Sequence, residues 1–139
     1  VARFFGRYEH SLDPKGRVIL PVKFRPPFEH GGYLSQFYEG CLALWTPEAF
    51  DRRLVQLEEA ANEGRAERNQ ARMVSSSSFE VEVDRQGRMA IPARLREFAR
   101  LEGDVLVIGA IDRVELWDAA LWEEKLLPEE RRLMGEDDS

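Results

Sequence analysis

The sequence predicts an α+β protein with a mostly β core, made of two tandem pseudo-symmetric halves decorated by helices. Three observations predict it. First, "SLDPKGRVILP" at residues 11–21 returns as "EVDRQGRMAIP" at residues 82–92. Asp13, Gly16, Arg17 and Pro21 recur as Asp84, Gly87, Arg88 and Pro92, each 71 residues on. Second, the repeat reaches further. Tyr8 matches Phe79, Glu9 matches Glu80 and Arg25 matches Arg96, while "CLALWTPEAF" resembles "RVELWDAALW" with Trp45 and Trp117 72 residues apart. Third, the segments around each motif, such as "RVILP" and "FEVEV", are short, apolar-rich and strand-like. Self-similarity at a fixed offset marks a duplicated structural unit. A unit of about 45 residues rarely buries enough surface to stand alone. Two such units are expected to pair face to face about a pseudo-twofold axis, as a compact β-barrel core.

Each half reads as strand, turn, strand, short helix or loop, strand, then helix. In the first motif, Asp13-Pro14-Lys15-Gly16 places Asp at i, Pro at i+1 and Gly at i+3 of a type I turn. Gly16 can adopt the positive φ that a following bulge requires. Asp84-Arg85-Gln86-Gly87 keeps the Asp and the Gly without the Pro. Both motifs are therefore expected at the tips of β-hairpins. "FEVEVD" alternates, with Phe79, Val81 and Val83 on one face and Glu80, Glu82 and Asp84 on the other.

Pro92 suits the first turn of a helix. "PARLREFARLEG" follows, with Leu95, Phe98 and Leu101 directed to the core and Gly103 as the stop. Its counterpart "PVKFRPPFEHGG" is broken by Pro26 and Pro27, so a turn or a single helical turn is expected. Thr46 and Asp118 are candidate N-caps. A helix over 47–61 carries Phe50, Leu54, Leu57 and Ala61 on one stripe. After a break near Gly64 a second helical segment runs to about Met73. The last helix follows Asp118 with Leu121, Trp122 and Leu126, is interrupted at Pro128, and leaves "GEDDS" disordered. The organisation expected is a first domain over 4–50, a helical connector over 51–76, a second domain over 77–123 and a helical to disordered acidic tail over 124–139.

Bulk properties narrow the function. The 139 residues suit one compact unit. No apolar run approaches the roughly 18 residues that span a membrane. The start "VARFFGRYEH" lacks the apolar stretch of a signal peptide, and it opens without an initiator Met, so a trimmed or altered start is expected. A cytoplasmic location follows as an expectation. One cysteine, Cys41, and two well separated histidines, His10 and His30, suggest neither a disulfide nor a structural metal. The net charge of −6 argues on its face against nucleic acid. It is unevenly spread. Residues 1–40 hold six basic and four acidic side chains, net +2; residues 41–111 hold ten and twelve, net −2; residues 112–139 hold four and ten, net −6. The acid sits in the tail, which serves solubility or shields a basic surface elsewhere.

The stretches "GRYEHSLDPKGRVILPVKFR" and "DRQGRMAIPARLREFA" resemble the two halves of the MraZ family, within the superfamily of AbrB-like and SpoVT-like transcription factors. The resemblance runs from Phe4 to Trp122 and rests on the doubled D-x-x-G-R, each with a proline four residues after its Arg. "DRVELWDAALWEE" resembles the end of the family's second domain. The resemblance implies two AbrB/SpoVT-like domains with swapped-hairpin β-barrels, in each half or shared between them. It implies a homo-oligomeric, octamer-like ring, associated with the nucleoid, that binds double-stranded DNA at repeated sites upstream of the bacterial division and cell-wall cluster. The family's D-x-x-x-R falls on Asp13 and Arg17, and on Asp84 and Arg88. Lys15 lies inside the first copy; in the second, Gln86 takes its position and Arg85 stands one residue earlier. Where the family resembles "FRG" or "FMG", this chain reads Phe4-Phe5-Gly6, flanked by Arg3 and Arg7.

The chemistry fits that implication. Arg is a planar fork of donors able to clasp a guanine edge or a phosphate. Lys is a mobile charge suited to phosphate. A narrow β-turn can enter a groove. Lys15, Arg17, Arg88, Arg85, Arg7 and Arg3 are thus the candidate DNA-binding residues. Asp13, Gly16, Asp84 and Gly87 are candidates for holding the turns, and the two Asp for orienting their arginines. Few contacts per protomer bind weakly, and a ring would add them.

Three rivals remain. D-x-x-G-R can be a mere surface turn. An AbrB-like antitoxin would carry one such motif and a separate toxin-binding tail where this chain has a second copy, and a ring scaffold for a protein partner would leave Arg17 and Arg88 without a role. An enzyme would need more than His10, Asp13 and one of Ser75 to Ser78, since no nucleophile elbow or glycine-rich phosphate loop accompanies them. No catalytic residue, cofactor or small-molecule substrate is assigned. Trp45, Trp117 and Trp122 read as core residues before base-stacking ones.

Overall fold

The computed structural model describes residues 1–135. The first half contains β1 (Arg7–Ser11), β2 (Arg17–Ile19), 3-10 turns at Val22–Phe24 and Pro26–Phe28, β3 (Gly32–Gln36) and β4 (Leu42–Trp45). Helices α1 (Pro47–Ala61) and α2 (Arg65–Ser76) follow. The second half contains β5 (Phe79–Val81), β6 (Arg88–Ala90), α3 (Ala93–Ala99), β7 (Asp104–Gly109), β8 (Val114–Asp118), α4 (Ala119–Lys125) and α5 (Leu127–Leu133).

The halves exchange strands. A six-stranded antiparallel sheet runs β1-β7-β8-β4-β3-β5, and a separate two-stranded ribbon pairs β2 with β6. β1 of the first half lies on β7 of the second, and β5 of the second lies on β3 of the first. The two repeats therefore share one sheet, and the strands do not close as two separate barrels. The register displays the pseudo-twofold directly. Val18 faces Met89, its own counterpart 71 residues on. In the central ladder Ala43 faces Glu115, its counterpart at 72, with Leu42 on Leu116 and Leu44 on Val114. The axis passes through both pairs.

This pairing limits the hairpin expected at each motif to its turn, with one antiparallel bridge beyond it in the second copy, Val83 to Met89. The turns are tight: Gly16 N–H donates to Asp13 O at 2.9 Å and Asp13 N–H to Arg17 O at 2.9 Å. The second copy repeats both bonds at 2.9 and 3.0 Å. Beyond the turn, however, β2 leaves β1 and takes β6. Leu20 N–H reaches Gly87 O at 2.8 Å and Ile91 N–H reaches Gly16 O at 3.0 Å, which extends the ribbon at both ends. A three-residue strand cannot bury much alone; paired across the axis, Val18 and Met89 become fully buried.

One core unites the halves. It holds Val18, Leu20 and Phe24 with Met89, Ile91 and Leu95, and continues into Leu34, Leu44, Val107 and Leu116 of the sheet. The alternation of "FEVEVD" is realised: Val81 is buried, Phe79 and Val83 pack on the core, and Glu80, Glu82 and Asp84 are exposed. Thr46 and Asp118 cap α1 and α4 through side-chain oxygens that accept from Ala49 N–H and Leu121 N–H, both at 3.1 Å. Trp45 and Trp117 are core residues.

Four details differ from the sequence reading. Pro92 is the N-cap of α3 and not its first helical residue. Phe98 is exposed while Ala99 takes the core position. α3 ends at Arg100, which adopts a left-handed φ of 57°, three residues before Gly103. The cap works because Arg100 and Leu101 N–H both find carbonyls of the last turn, at 3.3 and 2.9 Å. α2 continues past Met73 to Ser76. In the tail, Pro128 sits in the first turn of α5, where its missing N–H has no cost. Of the segment expected to be disordered, residues 136–139 lie outside the described residues. No described helix is long and apolar enough to cross a membrane.

Candidate nucleic-acid interface

The ribbon presents the two motif arginines on one surface. In each three-residue strand the middle residue points inward, so Arg17 and Ile19 share the outer face with Arg88 and Ala90. Arg17 pairs with Ala90 and Arg88 with Ile19. The two arginines are diagonal neighbours, roughly 7–8 Å apart at their roots by sheet geometry.

Each arginine is held by the aspartate of its own turn. Asp13 Oδ1 accepts the N–H of Lys15 and of Arg17, both at 2.9 Å, and Oδ2 accepts Arg17 Nε at 2.6 Å. Asp84 repeats the arrangement with Gln86 N–H and Arg88 N–H at 2.9 Å and Arg88 Nε at 2.7 Å. The carboxylate thus closes the turn with one oxygen and aims the guanidinium with the other. Among the described residues only Nε of each arginine is engaged, so the terminal nitrogens are available to a ligand. The backbone N–H of Arg17, then its side chain and the N–H of Lys15, hold the Asp13 carboxyl below its usual range despite some desolvation. Asp84 is lowered in the same way, first by the N–H of Arg88.

The glycines meet a second constraint. Gly16 and Gly87 have φ of 75° and 83°, and a side chain on either would run into a guanidinium of the other half. Arg96 lies against Gly16, and Arg25 lies against Gly87. Arg25 Nε donates to Leu20 O at 2.9 Å and Arg96 Nε to Ile91 O at 3.0 Å. Two further arginines are thus built into the turns. Their offset of 71 was visible in the sequence, but only the strand exchange shows that each serves the opposite turn. Lys15, Arg17, Arg25, Arg85, Arg88 and Arg96 gather at the two turns with Asp13 and Asp84, while Glu80, Glu82 and Glu29 line the grooves beside them.

The remaining candidates separate. Lys15 and Arg85 are exposed on the turns. Arg3 is exposed near the N-terminus. Arg7 is drawn elsewhere: it pairs with Glu130 of α5 and lies over the Trp122 ring at 5.1 Å. Part of the acidic tail therefore covers a basic residue. A groove of about 730 Å³ beside the ribbon is lined by Arg17, Arg88 and His30, but also by Glu80, Glu82 and Asp84. Arg17, Arg88 and Ala90 of the ribbon's outer face form one wall of this groove, so the arginines look onto a lining of mixed charge. His10 is half-buried on β1, and burial together with the charge of Arg25 lowers its pKa. Ser75 and Ser76 end α2, and Ser77 and Ser78 turn their hydroxyls to Val74 O. Among the described residues no cluster of His, Cys, Asp and Glu could hold a metal.

The fold and site define a class: a duplicated, strand-exchanged α+β protein that shows a pair of aspartate-aimed arginines on one shared ribbon. Comparison with known proteins narrows this class. The family model described as "MraZ protein, putative antitoxin-like" matches twice, over residues 4–73 and 75–132. Proteins named "Transcriptional regulator MraZ" are similar over most of the chain. That of Acetivibrio thermocellus is 41% identical over 86% of this chain and 84% of its own. That of Kocuria rhizophila is 40% identical over 91% and 89%. That of Nocardioides sp. is 39% identical over 87% and 84%. The chain belongs to the MraZ family, a family of transcriptional regulators and not of enzymes.

Proposed function

We propose that the β2–β6 ribbon reads double-stranded DNA with sequence specificity, and that the chain regulates transcription as a homo-oligomeric ring on repeated sites. The target is the region upstream of the division and cell-wall gene cluster, and the location is the cytoplasm at the nucleoid. One observation carries the reading: Arg17 and Arg88, each aimed by its own aspartate, share the outer face of one ribbon. An aimed guanidinium offers two parallel donors to a guanine edge, and each such pair discriminates by about 1–3 kcal/mol. A two-stranded ribbon is of a width that enters the major groove. Lys15 and Arg85, on the turn tips, supply phosphate contacts that set register without reading sequence. The net charge of −6 is no obstacle, since only a local face needs to be positive. A ring places several such faces along successive repeats, and tethering raises affinity by orders of magnitude.

The test is fluorescence anisotropy with two labelled duplexes, one carrying the repeats and one shuffled, at two salt concentrations. Wild type is expected to prefer the repeats, with affinity falling steeply as salt rises. Arg17→Ala and Arg88→Ala are expected to lose that preference with the oligomer intact by light scattering. Binding to neither duplex at low salt refutes the reading. The family's antitoxin-like description supports one alternative, a protein partner in place of DNA. On that reading Arg17→Ala leaves the function unchanged.

A further inference from the structure

The internal duplication supplies its own control, because each feature of one half can be compared with its counterpart. Trp117 is buried, and its Nε1–H donates to Glu115 Oε1 at 2.9 Å. The same carboxylate takes Arg113 through Nε at 2.9 Å and a second nitrogen at 2.8 Å. Trp45, the counterpart of Trp117, is 4% exposed, and its Nε1–H has no acceptor among the described residues. The reason lies in the central ladder: the residue corresponding to Glu115 is Ala43, which cannot accept. The first half keeps the donor and lacks the carboxylate.

A second buried donor is orphaned beside it. Arg53 Nε has no acceptor among the described residues, and the Arg53 guanidinium lies over the Trp45 and Phe37 rings at 5.5 and 5.4 Å. Among the described residues Arg53 forms no ion pair, whereas Arg113 is neutralised by Asp112 and Glu115. Trp45, Arg52, Arg53, Gln56, Asp112 and Arg113 line one polar cleft of about 170 Å³. Buried polar groups in native proteins find partners, and orphans point to a missing one. A water could accept from either donor; the Arg53 guanidinium is partly exposed and faces two rings, and an anion would in addition set an opposite charge against it.

We propose that this cleft binds a small free oxyanion, a carboxylate or a phosphate group, clasped by Trp45 Nε1–H and Arg53 in the manner that Glu115 meets Trp117 and Arg113. Either anion offers oxygens that accept from a ring N–H and a guanidinium together. The site belongs to β4, α1 and the loop before β8, on elements other than the ribbon. The inference does not rest on the DNA reading.

The experiment uses the full chain labelled with ¹⁵N in tryptophan alone, which gives three indole signals. Trp45→Phe, Trp117→Phe and Trp122→Phe assign them. Inorganic phosphate and acetate are titrated separately, with chloride holding the ionic strength constant. The Trp45 indole proton is expected to move downfield along a saturable curve while Trp117, already bonded to Glu115, stays fixed. Arg53→Gln is expected to weaken that binding about tenfold, since one charged partner is lost. Linear shifts, or equal shifts of all three indoles, overturn the proposal. So does a Trp45 signal that is downfield without added anion and moves only on dilution, which assigns the cleft to a carboxylate of a second copy.

Discussion

Asp13 and Asp84 each divide their labour between two oxygens, and the division can be tested atom by atom. In Asn, one oxygen still accepts the two backbone N–H groups, while the NH₂ that replaces Oδ2 confronts the Arg Nε–H donor. Asp13→Asn is therefore predicted to keep the turn and release Arg17. Melting temperature should change by only a few degrees, whereas preference for the repeat duplex falls about as far as in Arg17→Ala. Equal DNA preference in Asp13→Asn and wild type would show that the aspartate does not aim the arginine. The pH dependence follows from the lowered carboxyl pKa values. A group depressed on folding contributes stability above its unfolded pKa, near 3.9, and loses it as pH falls through the folded value. The turns should thus persist through mild acid and open only below the ordinary carboxylate range. Carboxyl ¹³C shifts of Asp13 and Asp84, followed through acid pH, report this directly.

The ribbon is the element on which the site depends, and it is short. Its inward residues are Val18 and Met89, each facing its own counterpart at the axis. Truncating a fully buried Met costs about 2–5 kcal/mol when the site cannot collapse. Met89→Ala is predicted to lower stability by that amount in urea unfolding, and to weaken DNA binding by loosening the relative placement of Arg17 and Arg88. Met89→Leu, with its similar volume, should cost less than about 1.5 kcal/mol. A small loss in Met89→Ala would mean that the ribbon is held by its turns and by Arg25 and Arg96, not by the axial pair.

At the scale of the molecule, the sheet joins the two halves at β1–β7, β8–β4 and β3–β5, and the ribbon joins them again. Neither half has its own sheet. A fragment of residues 1–76 or 77–139 leaves strand edges and core side chains open to water. Each alone is predicted to show no cooperative thermal transition by circular dichroism, and an equimolar mixture to regain one. Cooperative melting of either fragment alone would show that the halves are independent domains.

The sequence by itself determined the duplication, the turns, the caps at Thr46 and Asp118, and the alternation of the strand at Phe79. These are local: a D-x-x-G turn, an N-cap and a period of two are settled by residues within a few positions of one another. It also set Asp13 four residues before Arg17 and Asp84 four residues before Arg88. Phe98 escaped it, because the helical stripe allowed either Phe98 or Ala99 to face inward and the packing of α3 chose the smaller. The exchange of strands escaped it as well, since a turn followed by an apolar run fits a hairpin as well as a swap. Only the tertiary structure decided that Val18 meets Met89 and that Arg25 and Arg96 brace the opposite turns. Those contacts join residues about 70 positions apart, and their free energy comes from surfaces that do not meet until the chain has folded.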